Sequence, residues 1–298
     1  MRIFITGGTG YIGSAIVRAL VEAGHSVTGL VRSPEKEAAL RGLGATPVCG
    51  DLKEPSAYMD VAAEHDAAIH AAFEYGDRGA DVDRMAVETL LAAASAGAGP
   101  RSVVYTSGVW VLGNTGERLA DEDASTAGAA PIVAWRPTHE RLVLEAAGGQ
   151  LATAVVRPGM VYGGKGGQVV AFFSSATKEG AATYVGSGTN RWSLVHRDDL
   201  AQLYRLVVEK RARGIFHGVD GAPVTVADAA RAASQVAGKG GATRSTPLEE
   251  ARKQMGPMAN ALCLDQIVGA RRSAEFGWKP KYVSFPDSAR AAFEEWRA

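Results

Sequence analysis

Residues 2–13 read RIFITGGTGYIG. The apolar run Ile3-Phe4-Ile5 leads directly into glycines at 7, 10 and 13. Beyond them Ile12, Ala15, Ile16, Ala19, Leu20 and Ala23 recur at helical spacing until Gly24 stops the pattern. A buried strand, a glycine turn and a helix in that order make a phosphate-binding turn. One glycine permits the tight bend, the next lets backbone approach a pyrophosphate, and the third lets helix and strand pack closely. The helix start then offers amide N–H groups to an anion.

Outward from this unit the rhythm continues. SVTGLV (26–31), TPVCGDL (46–52), AAIHAA (67–72), SVVYTSG (102–108) and TAVVRPG (153–159) read as further strands. Helical patterns cover 34–43, 80–97 and 136–147. Strands alternating with helices predict an α/β fold, a Rossmann-type doubly wound parallel sheet with helices on both faces. Ligands of such sheets bind beyond the carboxyl ends of the strands. After about residue 160 glycine clusters interrupt the alternation. WSLVH (192–196) and GIFHGV (214–219) read as strands, with helices at 198–210, 225–237, 247–255 and 285–297 around a Gly-rich linker at 238–241. The expected division is a dinucleotide-binding domain over 1–160, joined by 192–219, and a smaller C-terminal substrate domain from 161–191 and 220–298.

Lys+Arg and Asp+Glu both number 32, so no net field draws in nucleic acid or an acidic membrane. No apolar run is long enough to span a bilayer, and no signal peptide is evident. Cys49 and Cys263 are too few for a metal cluster or a disulfide framework and read as free thiols. The expectation is a cytoplasmic protein acting on a small molecule, with no metal.

The ordered set TGGTGYIG, GDL (50–52), HAA (70–72), YTSG (105–108), RPGMVYG (157–163), VHRDDLA (195–201) and FGWKP (276–280) resembles the extended short-chain dehydrogenase/reductase superfamily, in its NAD-dependent epimerase/dehydratase branch. The match spans nearly the whole chain. The resemblance places Gly7, Thr9, Gly10, Tyr11, Ile12 and Gly13 around the pyrophosphate, Asp51 and Leu52 against the adenine, and Ala71, Ala72 and Phe73 along the pyrophosphate and ribose. Asp51 is equally readable as a turn residue. Thr106 and the stretch Pro158, Gly159, Met160 and Val161 would approach the nicotinamide. Homodimerisation through 80–97 and 136–147 is a family expectation only.

The second strand ends Leu30-Val31-Arg32-Ser33 and carries no acid for ribose hydroxyls. Arg32 offers a planar fork of donors and Ser33 a hydroxyl, a pair suited to the 2′-phosphate of NADP(H). NADP(H) is therefore the expected cofactor.

The catalytic positions depart from the family. Its redox members use Ser or Thr with Tyr-x-x-x-Lys, where residues four apart share a helix face. In AWRPTHERLVLEAA (134–147) the Tyr place holds Trp135, the Lys place holds His139, and the Ser/Thr place falls at Gly108. Proton donors must then come from elsewhere. A histidine ring can carry or release a proton, which makes His139 a candidate for a proton or for a ribose contact. Tyr162 and Tyr75 are further candidates, readable also as a packing and a surface residue, and Ser107 is close enough in sequence to substitute for the missing hydroxyl. Asp198 or Asp199 reads as the cap of the following helix. Trp192 and Arg191 stand where sugar-nucleotide epimerases carry an Arg, which weakens that reading. Trp110, Trp135, Trp192, Phe73 and Met160 suit either an apolar substrate or the core. The leading expectation is a reductase of a carbonyl or conjugated double bond. A silent cofactor-binding regulator and an NAD-retaining epimerase or dehydratase are the alternatives.

Overall fold

The first strand lies where Ile3, Phe4 and Ile5 are wholly buried, as a strand covered on both faces requires. The structure is a computed structural model describing residues 1–97 and 99–298. In chain order its first half runs β1 (Arg2–Thr6), α1 (Tyr11–Glu22), β2 (Ser26–Val31), α2 (Pro34–Gly42), β3 (Thr46–Cys49), α3 (Met59–Ala63), β4 (Ala67–His70), α4 (Gly79–Ala96), β5 (Arg101–Thr106), α5 (Arg136–Glu145) and β6 (Leu151–Pro158). The pairings β3–β2, β2–β1, β1–β4, β4–β5 and β5–β6 are all parallel, and strand Gly214–Gly218 adds the edge beside β6. This is the expected mostly parallel seven-stranded Rossmann-type sheet. The strand order turns back between β1 and β4, so the loops following those two strands diverge and leave a crevice.

The chain divides into two units, 1–107 with 135–156 and 201–216, and 108–134 with 157–200 and 217–298. In the first, Phe4, Leu30, Tyr58, Leu90, Val103, Tyr105 and Val155 form a core between sheet and helices. Helix α1 buries Ala15, Ile16, Ala19 and Leu20, the predicted stripe, and Gly24 takes a left-handed φ of +81° just past its end.

In the second unit Phe172, Phe173, Trp192, Leu194 and Phe285 pack with helices Val169–Glu179, Val226–Val236 and Phe285–Arg297. Thr225 and Ser284 cap the latter two helices by accepting from Asp228 N and Asp287 N. Helix Val169–Glu179 and strand Ala182–Val185 lie between the glycine clusters at 163–167 and 186–188, in a stretch to which the sequence assigned no element. The glycines at 238–241 lead into strand Thr243–Thr246, which pairs with Ala182–Val185.

The two units differ from the expected division at 108–134, 157–160, 192–200 and 217–219. Residues 108–134 belong to the second unit, because Gln266 Nε2 donates to the carbonyls of Val109 and Gly113 and Ala120 bridges to Val268. Residues 192–200 belong there too. The expected strand 192–196 breaks at Ser193, whose hydroxyl donates to Gln266 O and accepts from Val268 N. Its halves pair separately, Arg191–Trp192 with Val224–Thr225 and Leu194–His196 with Met160–Tyr162. Asp199 is no helix cap either. Its carboxylate accepts from the amides of Lys281 and Tyr282, tying the 281–282 turn to the head of helix Arg197–Glu209.

Candidate functional site

A cleft of about 560 Å³ opens at the crevice between the loops after β1 and β4. Gly7, Thr9, Gly10, Tyr11, Ile12 and Gly13 form its floor, and Leu30 to Arg32, Lys36, Gly50 to Leu52 and Ala71 to Tyr75 complete it. Most residues assigned to the pyrophosphate and adenine are thus brought to one place. Ser33, Thr106 and His139 are not among its walls, and Lys36 lies where Ser33 was expected to contribute.

The cradle is sterically exact at two glycines. Gly7 has a φ of +75°, and a Cβ on it would stand 2.6 Å from the Ala71 carbonyl carbon. A Cβ on Gly13 would lie 2.0 Å from the Gly7 carbonyl oxygen. No side chain caps the start of α1 at Gly10, so its helix-dipole end faces the cleft unscreened by a carboxylate. This backbone surface fits a dinucleotide pyrophosphate.

Along one wall of the cleft Arg32 projects from the end of β2 with its side chain 61% exposed. It is not alone. Arg32 Nη1 donates to Glu74 Oε2 at 2.9 Å, Lys53 Nζ donates to Glu74 Oε1 at 2.7 Å, and Asp51 Oδ2 stands 3.9 Å from Arg32 Nη1. Lys53 and Arg32 hold the Glu74 carboxyl below its usual range, so it is charged at neutrality. Asp51 also accepts from Lys53 N in its own turn, so the turn reading and the cleft-wall reading hold together.

A second polar cluster lies buried between β4, β5, α4 and α5. Asp83 on α4 is 2% exposed. Its Oδ2 receives His139 Nδ1 at 2.8 Å and the Tyr105 hydroxyl at 2.9 Å, and its Oδ1 receives His70 Nε2 at 3.3 Å. Burial pushes this carboxyl up, but the hydrogen bonds from His139 and His70 outweigh it and hold Asp83 well below the carboxylate range. An ionised carboxylate only accepts, so His139 carries a proton on Nδ1 and His70 one on Nε2. Thr6 then donates its hydroxyl to His70 Nδ1, 2.7 Å away. Arg136 donates to the Tyr105 oxygen and to Thr106 O at 3.0 and 2.8 Å, and its guanidinium lies over the Trp135, Phe73 and Tyr105 rings. Trp135 stacks on Phe73 and sits 4.8 Å from the His139 ring. Tyr204 donates to the Thr106 hydroxyl.

The other candidates fare differently. Tyr162 is wholly buried in the second unit, edge-on to His196 and Phe285, and burial pushes its phenol up. It packs as a core residue. Tyr75 is 87% exposed at the rim of the cleft, its ring edge against Phe73. The Ser107 hydroxyl is buried with no partner among the described residues. Met160 and Trp192 pack in the core of the second unit, the latter stacked on Phe172 and donating to Leu262 O, and neither lines the cleft. Pro158, Gly159 and Val161 lie in the second unit, where a Cβ on Gly159 would meet the Ser193 carbonyl at 2.3 Å, which gives this glycine a structural reason of its own.

Asp83, Glu74, Lys53 and Arg136 escaped the sequence reading. One signal existed for Asp83. It shares a helical stripe with Ala86, Val87, Leu90 and Ala94, and an acid on an apolar stripe needs buried partners. Nothing local marks Glu74.

Comparison with known proteins agrees with this architecture. The chain is 33% identical over 297 residues to the uncharacterized protein C2A9.02 of Schizosaccharomyces pombe, covering 95% of this chain and 96% of that one. It is 30% identical over 224 residues to 2-alkyl-3-oxoalkanoate reductase of Stenotrophomonas maltophilia, covering 72% and 67%. The fold superposes on the human epimerase family protein SDR39U1 (isoform 2) with NADPH at a TM-score of 0.80, with 22% identity and 99% of each chain covered. The model of the NAD dependent epimerase/dehydratase family matches residues 3–217. With its glycine cradle, parallel sheet and crevice, this chain belongs to that family, among the extended short-chain dehydrogenases/reductases.

Proposed function

We propose that the chain is an NADP(H)-dependent oxidoreductase that reduces a carbonyl or conjugated double bond of a small, mostly apolar molecule. The observation that carries this reading is Arg32 at the end of β2, on the wall of the dinucleotide cleft, where no acid closes the strand. The reductase relative and the NADPH-bound neighbour of like fold support it. The glycine cradle would hold the pyrophosphate, Asp51 and Leu52 the adenine, and Arg32 the 2′-phosphate. The family resemblance alone assigns the Pro158–Val161 stretch and Thr106 to the nicotinamide.

Bound there, the cofactor supplies hydride from its nicotinamide ring. The chain must supply orientation and a proton. Asp83 accepts from His139 Nδ1, so Nε2 of the neutral ring would accept from a ribose hydroxyl, and only the imidazolium, carrying a second proton on Nε2, would pass that proton to the substrate oxygen and be left as the Nδ1–H ring. Arg136 brings a fixed positive charge beside Thr106, where negative charge developing on oxygen would be stabilised. The Phe73–Trp135 stack offers an apolar surface in the same unit.

A second reading, an NADP(H)-binding protein without turnover, draws on Trp135 in the Tyr place and on the burial of Tyr162. One experiment separates them. NADPH is titrated by fluorescence, and its absorbance is then followed with a panel of aldehydes, ketones and enones. Oxidation of NADPH dependent on His139 supports the reductase. Tight binding with no turnover across the panel supports the silent binder, and preferential NADH binding overturns the cofactor assignment.

A further inference from the structure

We infer that Glu74 is a specificity-determining residue: its carboxylate fills the seat that Arg32 and Lys53 offer to a 2′-phosphate, and so moderates the preference for the phosphorylated dinucleotide. The inference rests on the cofactor reading above and deepens it at the adenosine end.

Each Glu74 oxygen serves a different cation, Oε2 taking Arg32 Nη1 at 2.9 Å and Oε1 taking Lys53 Nζ at 2.7 Å. Arg32, Glu74 and Asp51 all line the cleft, as does Lys36. The carboxylate lies between two cations from separate loops, one following β2 and one following β3, and is itself carried by the loop following β4. A phosphate monoester needs this arrangement of donors, because its oxygens diverge and carry close to two negative charges.

The charge balance gives Glu74 its effect. A phosphate entering between Arg32 and Lys53 exchanges a monoanion for a near-dianion on the same cations, which favours entry. It must also break two existing ion pairs and leave Glu74 beside a phosphate. A dinucleotide with a free ribose hydroxyl meets no such obstacle, since Glu74 remains on its cations and its carboxylate can accept that hydroxyl. Arg32 supplies the preference and Glu74 limits it. Lys53 is the second cation of the seat.

Wild type, Glu74→Gln and Lys53→Met are compared by isothermal titration with NADPH and NADH, and with adenosine 2′,5′-bisphosphate and AMP, which probe the adenosine end alone. Both substituted side chains are at least part-exposed, 22% for Glu74 and 47% for Lys53, and circular dichroism verifies folding. Glu74→Gln is expected to tighten NADPH and the bisphosphate about tenfold, a charge pair's worth at a part-exposed site, while NADH and AMP stay within about threefold. Lys53→Met is expected to weaken the phosphorylated pair about three- to tenfold and spare the others. If wild type prefers NADPH yet neither variant changes the ratio, or if Glu74→Gln weakens NADPH, the role of Glu74 is overturned while the cofactor reading stands. If wild type binds no pyridine nucleotide or prefers NADH, the cofactor reading falls first.

Discussion

His139 Nδ1 lies 2.8 Å from Asp83 Oδ2, inside a buried cluster that also takes in His70, Tyr105 and, through Tyr105, Arg136. Three donors on one buried carboxylate make that carboxylate the structural centre of the site. Replacing it leaves donors without an acceptor in low dielectric.

Asp83→Asn is expected to cost about 3 kcal/mol in urea unfolding, as loss of one partner from a buried ionic network does. The sign with pH follows from its lowered carboxyl. A depressed carboxyl stabilises the fold at every pH above its unfolded value and loses that contribution as pH falls through the folded value. The gap between wild type and Asp83→Asn should shrink as pH falls below about pH 4, where the unfolded carboxyl takes up its proton. A gap that widens with acid would contradict the assignment of Asp83 as the acceptor.

His139→Ala tests the proton role separately from binding. NADPH affinity should change no more than about threefold, while turnover on any carbonyl found in the panel should fall about 10²- to 10⁴-fold, the usual weight of a general acid. A variant that turns over at the wild-type rate would move the proton source to Tyr75 or to water.

Two glycines separate steric exclusion from backbone strain. Gly13→Ala sets a Cβ 2.0 Å from the Gly7 carbonyl, so it should abolish nucleotide binding in a titration. Gly24→Ala suffers a left-handed φ, which Gly13 does not have, but meets nothing within 4 Å. It should cost only about 1 kcal/mol of stability and leave binding intact. Equal effects at the two sites would mean that the cradle is not where the nucleotide sits.

Asp220 supplies the opposite pH dependence. Burial, with the charge of Asp199, raises its carboxyl to about 7, only partly offset by the amide of Ala222. A raised carboxyl stabilises the fold below its unfolded value, and that contribution is lost as pH rises through the folded value. Wild type should therefore lose stability relative to Asp220→Asn between about pH 4 and pH 7 and stay below it at pH 8. Thermal melts across that range check it, and a variant less stable than wild type at pH 8 would refute it.

The strand–turn–helix of residues 2–24 and the parallel alternation were legible in the sequence because their determinants are local. An apolar run buried on both faces, glycines where backbones touch and a helical stripe each need only neighbours along the chain. Arg32 at the end of β2 was legible for the same reason. What the sequence could not display is which distant polar groups meet. Glu74 lies 42 residues from Arg32, and Asp83 lies 56 from His139. Each pair forms only because strand order sets β2 and β4 on either side of β1, so that the loops after them line one cleft, or because α4 and α5 pack together. Tyr162 and Tyr75 looked alike as candidates, and packing alone made one a core residue and the other a surface one. Secondary structure answers to periodicity within a few residues. Burial and ion pairing answer to the sheet order, which brings segments distant along the chain to the same few ångströms.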